Sequence, residues 1–163
     1  MLKVDLSHND NGSFLKLPSI PDDVLPTVTI VTPTYKNQEF FDLPIRNFKN
    51  FDYPKEKIFW IILDDSPTDS LKNMIPSDPN IKYIYSDVKN FIGKKRNMLA
   101  NECTTDVIVH MNEYDYYYPD SIKIRIISMI AHRRQVCGCM GYNCYNLVND
   151  TQFIASANEN DMN

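Results

Sequence analysis

The chain has 163 residues, of which 43% are hydrophobic and 12% aromatic, and its formal net charge is −4. This composition predicts one globular domain with a sizeable core and excludes a disordered chain. The acidic balance argues against nucleic acid as a partner, because binding a polyphosphate requires a basic surface. No apolar run approaches the roughly 20 residues of a membrane span, and the first residues lack a signal-peptide core. We therefore expect a cytoplasmic protein without a membrane span.

The predicted elements alternate between strands and helices. Residues 1–26 are polar with scattered prolines and are interpreted as an N-terminal arm, 27–157 as one domain and 158–163 as a polar tail. Apolar or β-branched runs predict strands at 28–32, 58–63, 81–85, 107–109, 136–140, 145–148 and 153–154. Helices are predicted over 38–50, 70–75, 92–102 and 121–133. Strands separated by helices predict a three-layer α/β fold with a mostly parallel sheet.

Two carboxylates, Asp64 and Asp65, follow the second predicted strand. Ligands of open α/β sheets bind at the carboxyl ends of the strands. A carboxylate there can accept a hydrogen bond from a base N–H or a ribose hydroxyl. It can equally cap the turn and helix that follow, and the pattern alone leaves both roles open.

A basic run, Lys94-Lys95-Arg96, lies at the start of a predicted helix. The helix macrodipole disfavours cations at this end, which indicates that an anion compensates them. A phosphate bound at the helix N-terminus would do so. The alternative is a solvated basic face.

The stretch 106–119 begins as a buried strand and ends in acidic and aromatic residues. Glu113 and Asp115 are two residues apart and would point the same way on a strand. Two carboxylates on one side are suitable ligands for Mg²⁺ or Mn²⁺, with phosphates of a ligand completing the shell. Alternatively, Asp115 caps a turn and Glu113 is solvated. Four nearby tyrosines could stack on a sugar or base: Tyr114, Tyr116, Tyr117 and Tyr118. The alternative is that they close a pocket or pack at the edge of the core.

Four segments together resemble the GT-A-fold glycosyltransferases of family 2. They are VTIVTPTY at 28–35, IILDDSPTD at 61–69, GKKRN at 93–97 and VHMNEYDYYYP at 109–119. They stand in the family's order and spacing, within about residues 27–148. With FDYP at 51–54, they are most similar to a branch common in large DNA viruses. The resemblance implies a Rossmann-like domain that binds a nucleotide-sugar, usually a UDP-sugar.

The resemblance also implies roles for individual residues. Nucleotide binding is implied for Pro33, Tyr35, Asp64, Asp65, Lys95, Arg96 and Asn112. Pro33 and Tyr35 would lie against the base, and Asp64 would hydrogen-bond it. Lys95 and Arg96 would lie near the ribose or the diphosphate.

The family's Asp-x-Asp signature, which holds ribose and a divalent cation, falls on Asn112-Glu113-Tyr114. Both signature aspartates are therefore replaced, and tyrosine is a poor ligand for Mg²⁺ or Mn²⁺. Asp115 or Glu113 would have to substitute as the metal ligand. No segment after Tyr145 clearly supplies the catalytic base of the family, so no catalytic residue is assigned.

Three hypotheses follow. The chain is a glycosyltransferase that moves a sugar to a hydroxyl of a glycan or protein acceptor. Alternatively, it is a degenerate relative that serves as a binding or interaction module. In the third hypothesis it is a truncated transferase whose acceptor half lies elsewhere, on a partner chain or a removed segment. A homo-oligomer is also left open.

Overall fold

The computed structural model describes residues 5–9, 12–16, 19–67, 71–139, 141–146 and 148–156. Within them lie eight strands: β1 (Asp5–Asn9), β2 (Gly12–Lys16), β3 (Val28–Thr34), β4 (Ile58–Asp64), β5 (Ile81–Tyr85), β6 (Val107–His110), β7 (Gly141–Asn146) and β8 (Thr151–Ser156). The α-helices are α1 (Asp42–Asn50), α2 (Ile92–Asn101) and α3 (Ser121–His132). Short 3₁₀ turns span Lys55–Lys57 and Lys72–Met74.

The central sheet has four strands in the order β5-β4-β3-β6, and all neighbours are parallel. The pairs β1-β2 and β7-β8 form separate antiparallel hairpins. Parallel neighbours require crossover connections, and the described crossovers carry α1, the 3₁₀ turn at Lys72–Met74 and α2. The predicted α/β fold with a mostly parallel sheet is confirmed.

Helices cover both faces of this sheet. On β3, Val28 and Ile30 point to one face and Val31 to the other, as the two-residue period of a strand requires. The first face packs against buried residues of α1 and α3, namely Ile45, Phe48, Ile122, Ile126 and Ile127. The second face packs against Leu99 of α2. The sheet is therefore the middle of three layers.

Trp60 of β4 is the largest fully buried side chain. Its ring stacks on Phe41 and Phe48 at centroid distances of 6.0 and 5.3 Å. Its indole N–H donates to Thr32 Oγ1 at 2.9 Å, so burial leaves no unpaired donor. This cluster fixes α1 against the sheet.

Several predicted segments differ from the structure. Ile20 and Leu25, assigned to the N-terminal arm, are buried in the core, and β1 and β2 form a hairpin within the arm. The predicted helix 38–50 begins at Asp42, which places Pro44 in its first turn, where a missing N–H costs little. The predicted helix 70–75 is a 3₁₀ turn over Lys72–Met74, because Pro76 disfavours the helical conformation of the residue before it.

The predicted strand over 136–140 is wrong for 136–139, which form no ladder, and residue 140 lies outside the described part. The strand that follows begins at Gly141. The polar tail 158–163 also lies outside the described residues. Among the helices in the described part of the chain, none is long and apolar enough to cross a bilayer.

Candidate functional site at the carboxyl edge of the sheet

Three loops meet at the carboxyl edge of the central sheet. Thr34, the last residue of β3, pairs with Asp64, the last residue of β4. On the other side of β3, Val31 pairs with His110, where β6 ends. The loops that follow these three strands therefore leave the sheet side by side, and they carry most of the predicted site residues.

Asp64 is fully buried and already hydrogen-bonded. Its Oδ1 accepts from the backbone N–H of Ser66 at 2.9 Å and from the Ser66 hydroxyl at 2.5 Å. Its Oδ2 accepts from the Tyr83 hydroxyl at 2.9 Å. The carboxylate therefore organises the turn after β4, and because it is fully buried, contact with a bound base requires the surrounding turn to move.

Asp65 forms a buried ion pair with Lys95 of α2. The ammonium lies 2.8 Å from Asp65 Oδ1 and also donates to the Thr34 carbonyl at 2.9 Å. The other oxygen of Asp65 accepts from the backbone N–H of Asn90 at 2.7 Å. The anion that compensates Lys95 is thus a carboxylate of this chain, and the pair ties the ends of β3 and β4 to the start of α2.

The other two cations of the basic run, Lys94 and Arg96, are exposed on α2. Burial lowers the pKa of His110, at the end of β6, and the positive charge of Arg96 lowers it further. The Arg96 guanidinium is therefore within electrostatic range of the edge at which β6 ends. Unlike Lys95, it remains accessible to a ligand.

Tyr35, in the loop after β3, is half-buried and bordered by cations. The Lys89 ammonium lies 4.2 Å from the centroid of its ring, and that of Lys36 lies 5.5 Å away. Pro33, the other residue predicted to face a base, lies at the end of the same strand and is also half-buried. The ring and these two cations form a surface suited to an aromatic ligand with negative charge nearby.

The same loop holds a residue in an unfavourable backbone conformation. Lys36 has φ 53°, in the left-handed region that non-glycine residues rarely adopt. Its backbone N–H donates to the Ser66 hydroxyl at 2.7 Å, and this hydroxyl in turn donates to Asp64. Ser66 therefore links the loops after β3 and β4 and stabilises the strained conformation.

The loop after β6 does not continue as a strand, because β6 ends at His110 and Glu113 and Tyr114 form a turn. Glu113 is buried and accepts a hydrogen bond from the Thr34 hydroxyl. Asp115 is exposed. The expectation that Glu113 and Asp115 point the same way is therefore wrong, since the two-residue period requires extended backbone.

The environment of Glu113 favours its neutral form. Burial raises the pKa of this carboxyl, and the hydrogen bond from Thr34 and the charge of Lys95 oppose the rise. An internal carboxyl bonded to β3 in this way joins the β6 loop to the loop that carries Tyr35. It is a poor direct ligand for a cation at the surface.

Asp115 and Asn112 bond to each other on the exposed side of the loop. The Asn112 amide nitrogen donates to Asp115 Oδ2 at 2.8 Å. In the described part of the chain, no three His, Cys, Asp or Glu side chains converge in a way that could hold a metal ion. Asp115 fits as one carboxylate ligand beside the phosphates of a nucleotide, whereas buried Glu113 does not fit.

The sequence analysis missed Asn47 of α1, which fixes the β6 loop. This buried amide donates to the Asp115 carbonyl at 2.8 Å and accepts from the Tyr117 N–H at 3.2 Å. The Tyr117 ring points inward, and its hydroxyl accepts from the Asn112 N–H at 3.1 Å. The sequence did contain an indication of this role, because Asn47 is a polar amide on the apolar face of a predicted helix, between Pro44 and Phe48.

Comparison with known proteins identifies the family. The family model described as Glycosyl transferase family 2 matches residues 29–158, which is most of the chain. The chain belongs to glycosyl transferase family 2. No curated protein sequence matches it significantly. The family match includes the ends of β3, β4 and β6 and therefore the whole edge described above.

Solved structures of glycosyltransferases have a similar fold. A mannosyltransferase from Pyrobaculum calidifontis, solved with GDP-Man and Mn²⁺, is 17% identical with a TM-score of 0.59 over 69% of this chain. Residues 1–349 of TarS from S. aureus, solved with UDP-GlcNAc, are 18% identical with a TM-score of 0.59 over 66% of this chain. The chain spans 35% and 32% of these two proteins, about a third of their length. The likeness confirms the GT-A fold.

Proposed function

We propose that this chain is the nucleotide-sugar-binding part of a glycosyltransferase, which transfers a sugar from a UDP-sugar to an acceptor hydroxyl. The observation that carries the proposal is the convergence of three strand-end loops. The Asp65–Lys95 pair and the Thr34–Glu113 hydrogen bond join these loops at the one edge that contains the family's motifs. The two solved neighbours described above hold GDP-Man and UDP-GlcNAc.

In the proposed complex the base lies against Pro33 and Tyr35. The cations beside the Tyr35 ring, Lys36 and Lys89, then attract the negative charge of the same ligand. The exposed guanidinium of Arg96 contacts the diphosphate. Asn112, exposed in the β6 loop, bonds a ribose hydroxyl through its amide.

The buried residues of the predicted site act by positioning others. Asp65 and Lys95 hold α2 and the strand ends together, so that Arg96 is presented at the edge. Asp64 holds Ser66, which in turn holds Lys36. Because Asp64 is fully buried, a base N–H reaches it only if the surrounding turn moves, so we expect nucleotide binding to reorganise this turn.

A divalent cation would be held by Asp115 together with the phosphates of the donor. It would supply charge neutralisation to the leaving diphosphate. Since Tyr114 and buried Glu113 offer no second accessible carboxylate, we expect the affinity for Mn²⁺ or Mg²⁺ to be weak without nucleotide.

A second candidate function is binding without transfer, in a degenerate relative of the family. The observation that favours it is Tyr114, which takes the place of a signature carboxylate and packs edge-on against Phe40 at 6.4 Å. Transfer also needs a base that deprotonates the acceptor hydroxyl. We assign that role to no residue, and a partner chain or a further segment would supply it in the truncated-transferase alternative.

The test is calorimetry and thermal unfolding with UDP and GDP, each with and without Mn²⁺. A nucleotide at 100 times its Kd should stabilise the folded protein by about 2.7 kcal/mol. Tyr35→Ala should weaken binding, whereas Tyr145→Ala, a tyrosine of the β7-β8 hairpin, should not. If neither nucleotide stabilises the protein, the proposal is rejected. If a nucleotide does bind, an assay of UDP-sugar hydrolysis without an acceptor distinguishes the two candidate functions, because a transferase can hydrolyse the donor and a binding module cannot.

A further inference from the structure

The loop over 111–119, here called the tyrosine loop, has a fixed backbone although it is neither helix nor strand. Its first N–H, that of Met111, donates to the Val31 carbonyl at 3.1 Å. Asn47 holds it in the middle through two hydrogen bonds. Its last carbonyl, that of Pro119, accepts from the Asp52 N–H at 2.8 Å. The loop is therefore attached to β3, α1 and the turn after α1.

This fixed loop presents large rings to solvent. Tyr114, Tyr116 and Tyr118 are 62%, 61% and 61% exposed, and Phe40 beside them is 55% exposed. The rings form two edge-to-face pairs: Phe40 with Tyr114 at 6.4 Å and Tyr116 with Tyr118 at 5.3 Å. Rings on a fixed backbone lose little conformational entropy when a ligand binds, which is the property of a preformed binding surface.

Three carboxylates adjoin these rings along the chain. Asp115 lies within the tyrosine loop, Asp120 follows it directly and Glu39 precedes Phe40, and all three are exposed. A cation, Arg125, lies 5.6 Å from the ring of inward-pointing Tyr117. Glu39 and Asp120, which have no part in the proposed metal site, repel phosphate-bearing surfaces such as nucleic acid or anionic lipid. They accept hydrogen bonds from hydroxyls, while the rings pack on apolar C–H groups.

We propose that the tyrosine loop, together with Phe40, binds a neutral saccharide, the acceptor of the transfer reaction. A pyranose ring has one C–H-rich face and a rim of hydroxyls, which match the rings and the carboxylates of this surface. The assignment rests on the proposed function, because the Thr34–Glu113 hydrogen bond ties this loop to the loop that carries Tyr35. If the tyrosine loop binds a saccharide in this way, the acceptor is a glycan and not a protein side chain.

The test is saturation-transfer NMR of the whole chain with cellohexaose, maltohexaose and mannohexaose as probes. We expect at least one of these saccharides to receive saturation from the protein. Its affinity for Tyr116→Ala and for Tyr118→Ala should be at least about fivefold weaker than for the wild type, which corresponds to a loss of about 1 kcal/mol in binding free energy. The matched control is Tyr145→Ala, which removes a ring of 58% exposure from the β7-β8 hairpin. Its affinity should equal that of the wild type.

A second set of measurements separates the alternatives. Thermal unfolding of each variant shows whether it folds, and UDP binding by the same variants should be unchanged, because these rings lie outside the proposed base contact. If the wild type does not bind UDP, the proposed function is rejected. If it binds UDP but none of the saccharides, only the proposal that the tyrosine loop binds an acceptor saccharide is rejected. Tyrosine-dependent binding to phosphatidylglycerol vesicles in place of the saccharides would also overturn it.

Discussion

The Lys95 ammonium lies 2.8 Å from Asp65 Oδ1, and both side chains are buried at the carboxyl edge of the sheet. We expect Lys95→Met to lower the free energy of unfolding by about 3–5 kcal/mol, because it leaves the Asp65 charge buried without its partner. Urea unfolding monitored by the fluorescence of Trp60, the single tryptophan, measures this loss.

The matched control is Lys82→Met, which breaks an exposed ion pair with Glu102 of similar length, 2.7 Å. Exposed pairs contribute roughly 0–1 kcal/mol, so this variant should unfold at nearly the wild-type urea concentration. Equal losses in the two variants would show that the burial of the Asp65–Lys95 pair has no energetic consequence.

Asn47→Ala should release the tyrosine loop from α1. It removes the two hydrogen bonds to the loop backbone, and we expect a loss of about 1–3 kcal/mol in the free energy of unfolding. The Tyr117 amide should exchange with solvent faster than in the wild type, as measured by hydrogen-exchange NMR. Asn50→Ala makes the same change at an exposed position of the same helix and should leave that exchange rate unaltered.

Glu113→Gln should change how stability depends on pH. A carboxyl whose pKa is raised on folding binds its proton more tightly in the folded state. Its contribution to stability is therefore greatest below the unfolded pKa, about 4.3, and is lost as the pH rises through the folded pKa. The wild type should thus lose stability relative to Glu113→Gln as the pH rises above about 4.

Urea unfolding at a series of pH values measures this difference. The control is Glu56→Gln, which removes a carboxylate that is exposed in the turn before β4. Its stability relative to the wild type should vary less over the same range. A difference between wild type and Glu113→Gln that is constant with pH would contradict the raised pKa.

Asp115→Ala should remove the effect of Mn²⁺ on nucleotide affinity. If this exposed carboxylate is the side chain that coordinates Mn²⁺, UDP should bind the variant with the same Kd in the presence and absence of the ion. Calorimetry gives both values. Asp120→Ala, an exposed carboxylate at the start of α3, should keep the metal effect. Metal-enhanced binding that survives Asp115→Ala would place the ion elsewhere.

The central strands were predictable because their residue types match their environment. The runs at 28–32 and 58–63 are apolar or β-branched throughout, which only a strand buried on both faces requires, and they form β3 and β4. The run 136–139 has a similar appearance but forms no ladder. A segment forms a strand only if another strand lies beside it to share hydrogen bonds, and these four residues alone do not show whether such a partner strand is present.

For this protein, the sequence by itself determined the family, the order of the central elements and the edge at which the motif residues meet. Motif residues follow strands, and the ends of parallel strands must share an edge. The tertiary structure decided what each charged side chain does there. Lys95 pairs with Asp65, Glu113 bonds Thr34, and Asp115 stays exposed. Spacing along the chain fixes neither burial nor partner, since both depend on how a loop turns after its strand ends.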